Sequence, residues 1–126
     1  MNDDLNKRLK QLTIEDNIWI LYIGIIIISL YSNYLERKYF IYKDNISKKK
    51  YKELTTLVFL ILFIVYIYFL KESIDSIRNL KENDSYKTKK LTYLSFLASL
   101  LITISGLLFL YISIVDNDLS VELAFN

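Results

Sequence analysis

Three stretches of this chain, at about residues 17–35, 54–70 and 91–115, contain no Asp, Glu, Lys or Arg, although 24% of the whole sequence is charged. A water-soluble helix carries its charges as a stripe along one face. Here the charges are gathered into blocks between apolar runs, which is the pattern of segments that cross a lipid bilayer. The second run holds twelve Leu, Ile, Val or Phe residues between Leu57 and Leu70. At about −0.3 to −0.6 kcal/mol each near mid-membrane, they favour insertion by roughly 4 to 7 kcal/mol. The third run has a similar load, diluted by Ser95, Ser99, Thr103, Ser105 and Gly106. The sequence therefore predicts an all-α integral membrane protein, a single membrane domain over 1–126 with three transmembrane helices.

With no proline and only two glycines, Gly24 and Gly106, little interrupts a helix once it starts. Helical extensions beyond the apolar runs follow, and the second run needs one. Its seventeen residues rise about 25 Å against a hydrocarbon core of about 30 Å. In Lys71–Leu80, Ile74, Ile77 and Leu80 recur every third residue among Glu72, Asp75, Arg78 and Asn79, the pattern of an amphipathic helical stem at the interface. The mixed charges of the first sixteen residues, with no small-residue cleavage site after the first run, make that run an uncleaved signal anchor. Trp19, Tyr22, Tyr31, Tyr34, Tyr66, Tyr68, Tyr93 and Tyr111 lie near the ends of the runs, where amphipathic rings prefer the headgroup layer.

Orientation is nearly balanced. With three spans the N-terminus (Lys7, Arg8, Lys10) shares a side with the second connection (Lys71, Arg78, Lys81, Lys87, Lys89, Lys90). The first connection (Arg37, Lys38, Lys43, Lys48, Lys49, Lys50, Lys52) shares the other with a tail that has no base and carries Asp116, Asp118 and Glu122. Nine positive residues face seven, so the positive-inside rule places the protein in the cell membrane with its N-terminus inside and C-terminus outside, by a narrow margin. Both connections are basic, which three full spans cannot place on one side. A re-entrant hairpin over the short second run would reconcile them, and a balance this close is also what insertion in both orientations requires.

Cysteine and histidine are absent. That removes thiolate chemistry, disulfides, the usual zinc sites and histidine acid–base work. The carboxylates that remain lie outside the spans, and no spacing singles out a pair for acid–base catalysis. Pumps and proton-coupled carriers need an ionisable group within the bilayer. No cofactor, no metal and no enzymatic activity are expected, and a net charge of +2 does not argue for nucleic acid.

Two patterns are candidates for function. Ser95, Ser99, Thr103 and Gly106 step by four, four and three along the third span, with Ser113 one heptad beyond. They share one helix face. Small residues let helix backbones approach closely and their hydroxyls can bond to a neighbour, so this face reads first as a helix-packing seam and second as a pore lining. Lys48, Lys49, Lys50 and Lys52 flank Tyr51 and form a candidate contact for anionic lipid headgroups. Their other role is to retain the first connection on the inner side, and both roles oppose the orientation chosen above. In the tail, Leu119, Val121, Leu123 and Phe125 alternate with Ser120, Glu122 and Ala124, as in an extended segment with one apolar edge or a frayed terminus.

The leading expectation is a small non-enzymatic membrane protein whose partners are the lipid bilayer and, through helix–helix association with the Ser95–Gly106 face as its working surface, another copy of itself or a larger membrane protein. The alternative is a homo-oligomeric channel or permeabilising protein. In size and number of spans the layout is similar to phage holins and to the small immunity proteins of bacteriocin producers. The basic C-terminus usual in holins is replaced here by an acidic tail.

Overall fold

A computed structural model describes residues 2–121 and contains three helices: α1 (Asn2–Tyr42), α2 (Asn45–Arg78) and α3 (Tyr86–Val115). No strand occurs among the described residues. Each helix is long and apolar enough to cross a membrane, and the fold is all-α. At 41, 34 and 30 residues they measure about 60, 50 and 45 Å, so every one outruns a hydrocarbon core of about 30 Å. The want of helix breakers accounts for this. What the sequence presents as two long basic connections is mostly helix.

No more than 22% of the most apolar stretch of any helix is buried. Ile20, Ile23, Ile26, Ile27 and Leu30 of α1 stay exposed, as do Leu101, Leu107 and Leu108 of α3. A soluble three-helix core would hide such residues, whereas hydrocarbon chains solvate them without penalty.

By compactness the chain divides into two units, 1–54 and 55–126, with the boundary inside α2. In the first unit α1 buries Ile25, Ser32 and Leu35, which sit seven and three residues apart on one face. The helix stops at Tyr42 through a residue that is not glycine: Lys43 takes a left-handed conformation (φ 55°), and its N–H reaches the Tyr39 carbonyl at 2.7 Å. Asp44 then caps α2. Its carboxylate accepts from the Ile46 N–H at 3.1 Å and the Ser47 hydroxyl at 2.9 Å, while its carbonyl accepts from the Lys48 N–H. This satisfies donors that a helix start leaves open. The Lys38 ammonium lies 3.7 Å away. Together these hold the Asp44 carboxyl below its ordinary pKa, the Ser47 hydrogen bond contributing most, then the backbone N–H groups and Lys38.

The second unit is a helical hairpin. Residues 55–78 of α2 and all of α3 are joined by a seven-residue link, 79–85. Neither Gly nor Pro is needed for the turn, because Asp84 builds it by accepting from the Lys81 N–H at 2.7 Å while its own N–H donates to the Lys81 carbonyl. Ser85 follows as the N-cap of α3, extended at φ −64°, ψ 154° and accepting from the Thr88 N–H. At the far end Asp116 caps α3 and gathers the N–H groups of Ser120 and Val121. Those bonds, Val121 first, lower its pKa. With Leu119 at φ 53°, 116–121 form a turn, so of the two readings of the tail the extended segment does not begin here. Leu123 and Phe125 lie outside the described residues.

Candidate functional site

The α2–α3 contact is a ladder of small and aromatic side chains. Nearest the α3 C-terminus, the Thr56 hydroxyl donates to Ser113 Oγ at 3.4 Å, and Ser113 donates to its own Leu110 carbonyl at 2.8 Å. One turn along, Phe59 and Phe109 stack with centroids 5.7 Å apart and planes 25° from parallel. Gly106 comes next, under Tyr66 and Phe63. A Cβ there would lie 2.8 Å from Tyr66 Cδ2 and 3.7 Å from Phe63 Cδ1. The Thr103 hydroxyl is shared between the Ser99 carbonyl at 2.8 Å and the Tyr66 carbonyl across the interface at 3.3 Å. Last, Ser73 and Ser99 bring their hydroxyls to 2.8 Å. Since Ser73 spends its hydrogen on the Phe69 carbonyl, Ser99 is the donor of that pair.

Positions climbing α3 meet positions descending α2, so the two helices run antiparallel. Of the predicted face, Ser99, Thr103, Gly106 and Ser113 lie against α2. Ser95 is exposed; the α2 residue opposite it would fall in the charged stretch after Lys71. Tyr66 sits in the middle of the ladder, whereas its place near the end of an apolar run had assigned it to a headgroup belt. Trp19 and Tyr22 pack edge to face at 5.5 Å, and Tyr31 stacks with Tyr34 at 6.3 Å. Each pair is local to one turn of α1.

The two glycines differ sharply. Nothing lies within 4 Å of a Cβ built at Gly24, so that position has no steric need for glycine. Gly106 has one.

The candidate lipid-contacting lysines occupy the first turns of α2. Lys48 Nζ sits 5.2 Å over the Tyr39 ring, a cation–π distance. Lys49 and Lys50 are exposed, while Lys52 is half-buried. The four are therefore not one uniform patch.

Sequence reading missed the α2 half of the ladder, Thr56 and Ser73 above all. Both are hydroxyls in or beside an apolar run, and pairing them with α3 requires the register of the hairpin, which one helix alone does not reveal. It also missed Ser32, 1% exposed and fully buried on α1, whose hydroxyl has no hydrogen-bond partner among the described residues. A small polar residue one heptad from Ile25 was the available signal.

The ladder has no Asp, Glu, Lys or Arg side chain, and its polar groups are hydroxyls. Its contacts hold the two helices together through hydroxyl hydrogen bonds and aromatic packing. Comparison with protein-family models, with curated proteins and with solved structures finds no match to this chain.

Proposed function

We propose that this is a small, non-enzymatic protein of the cell membrane that acts through helix–helix association with another copy or a larger membrane partner, N-terminus inside and C-terminus outside. The observation that supports this best is the α2–α3 ladder. Five levels of hydroxyl, glycine and aromatic contact make the hairpin a preformed unit. Such an element can dock as a body, with little ordering left to do. Its small-residue face is occupied within the chain, so a partner would meet the outward faces rich in Leu and Ile.

The channel reading asks the same Ser95–Gly106 face to line an aqueous pore, which would require the hairpin to open and leave Tyr66 without its glycine. Reconstitution separates the two. The protein is placed in dye-filled vesicles and its assembly state read by native mass spectrometry from nanodiscs. Association predicts sealed vesicles and a small discrete complex. Dye release accompanied by rings of four or more copies would overturn it in favour of the channel.

A further inference from the structure

We propose that the N-terminal third of α3 carries a binding groove for one anionic phospholipid. A shallow surface groove of about 450 Å³ runs along this helix, lined by Tyr86, Lys89, Lys90, Tyr93, Leu94 and Leu97. The residues are ordered by polarity along the helix axis. Tyr86 and the two lysines come first, then Tyr93, then two leucines each about half exposed (48%). From Lys90 to Leu97 the helix rises about 10 Å, which matches the passage from phosphate through glycerol to the first acyl carbons. Lys89 gives one hydrogen to the Glu82 carbonyl at 3.0 Å and keeps two for a ligand. The N-terminal end of the helix dipole adds positive potential at the same end.

The hairpin register places this groove beside the charged end of α2. The pair Ser73–Ser99 sets Lys71 of α2 about level with residues 99–101 of α3. The charged stretch Lys71, Glu72, Asp75 and Arg78 thus runs beside the largely apolar 94–101. Where α2 has turned charged, α3 is still apolar, with Leu94 and Leu97 outward. A lipid standing in the groove would cover them, and a phosphate beside two lysines suits their charge. An anionic headgroup is favoured over a zwitterionic one because the latter carries its own cation to the lysines.

The inference rests on the membrane-spanning reading, and the test keeps the two apart. The chain has a single tryptophan, so a Trp19→Phe background frees the indole as a probe. Leu97→Trp reports on the groove. Leu108→Trp, exposed three turns deeper on the same face, reports on bulk lipid. Each variant is reconstituted in mixed phosphatidylglycerol–phosphatidylcholine vesicles, brominated on one lipid class at a time. At Leu97→Trp, phosphatidylglycerol should bind several-fold more strongly than phosphatidylcholine. Lys89→Gln with Lys90→Gln should bring that ratio close to one, roughly fivefold being at stake for each lysine near the surface. At Leu108→Trp both lipids should quench equally. An equal ratio at Leu97→Trp, a preference that survives loss of the lysines, or the same preference at Leu108→Trp would overturn the groove. If neither lipid quenched Leu108→Trp, the membrane reading itself would fall.

Discussion

Replacing each glycine by alanine separates packing from helix propensity. At Gly106 the new Cβ would stand 2.8 Å from Tyr66 Cδ2 and 3.2 Å from Cε2, against an ordinary carbon–carbon contact of about 3.5–4.0 Å. The ring has to withdraw by roughly 1 Å. It cannot do so freely, because Phe63 lies on the same side and the Tyr66 carbonyl is tied to Thr103. Overpacking of this kind costs about 1–3 kcal/mol. At Gly24 a Cβ meets nothing within 4 Å, so Gly24→Ala removes only the flexibility of glycine. Both changes gain the same intrinsic helix term, up to about 1 kcal/mol, and their difference isolates the clash. Titration with sodium dodecyl sulfate in mixed micelles, followed by far-UV circular dichroism and a fluorescent pair on α2 and α3, measures that difference. Gly106→Ala should be less stable than Gly24→Ala by about 1–3 kcal/mol, and Gly106→Leu less stable still. Ser99→Leu should weaken the hairpin likewise, since it overfills the seam and removes the bond to Ser73. Leu108→Ile, on an exposed position, should change little. Equal stability of the two alanine variants would mean that Tyr66 does not pack on position 106, and the ladder would lose its centre.

Three further outcomes follow from particular contacts. A double-mutant cycle over Ser73→Ala and Ser99→Ala should return a coupling of about 0.6 kcal/mol, and not above about 1.7 kcal/mol, the range of interhelical hydrogen bonds in membranes; zero coupling in the same titration would deny the bond. The Asp44 and Asp116 carboxyls are held below their ordinary pKa by hydrogen bonds to the folded backbone and nearby hydroxyls. The stability they contribute is therefore present above the unfolded value near pH 3.9 and lost as pH falls through the lower folded value. Helicity followed from pH 7 to pH 2 should hold until below about pH 4, and Asp44→Asn should blunt the acid loss, whereas a transition near neutral pH would contradict the assignment. For orientation, a C-terminal alkaline phosphatase fusion should be active and a C-terminal fluorescent protein dark; the reverse pattern would place the tail inside, and activity of both would indicate dual insertion.

The three helices were legible because charge exclusion from 17–35, 54–70 and 91–115 is a one-dimensional signal that needs no partner to be read. Their true lengths were partly legible, since without proline the chain has few ways to leave a helix. The ends were not. Lys43 terminates α1 in a conformation that composition assigns to glycine, and Asp84 shapes a turn with one carboxylate in a segment that reads simply as charged. On α3, periodicity found the face of Ser99, Thr103 and Gly106, because a helix fixes which of its own residues align. It could not supply Tyr66 or Ser73, which depend on how far one helix slides along another. That same ignorance of register extended the seam to Ser95 and moved Tyr66 to a headgroup belt.

The absence of native cysteine permits the most direct measurement of the α2–α3 register. Ser73→Cys with Ser99→Cys, oxidised in native membranes, should form an intramolecular disulfide that alters mobility on a denaturing gel without doubling the mass. Ser73→Cys with Leu101→Cys, which adds a cysteine on an exposed face of α3, should stay reduced. A Ser99 pair that remains reduced, or that yields only cross-linked dimers, would contradict the intrachain ladder and return the small-residue face to a neighbouring copy or a pore.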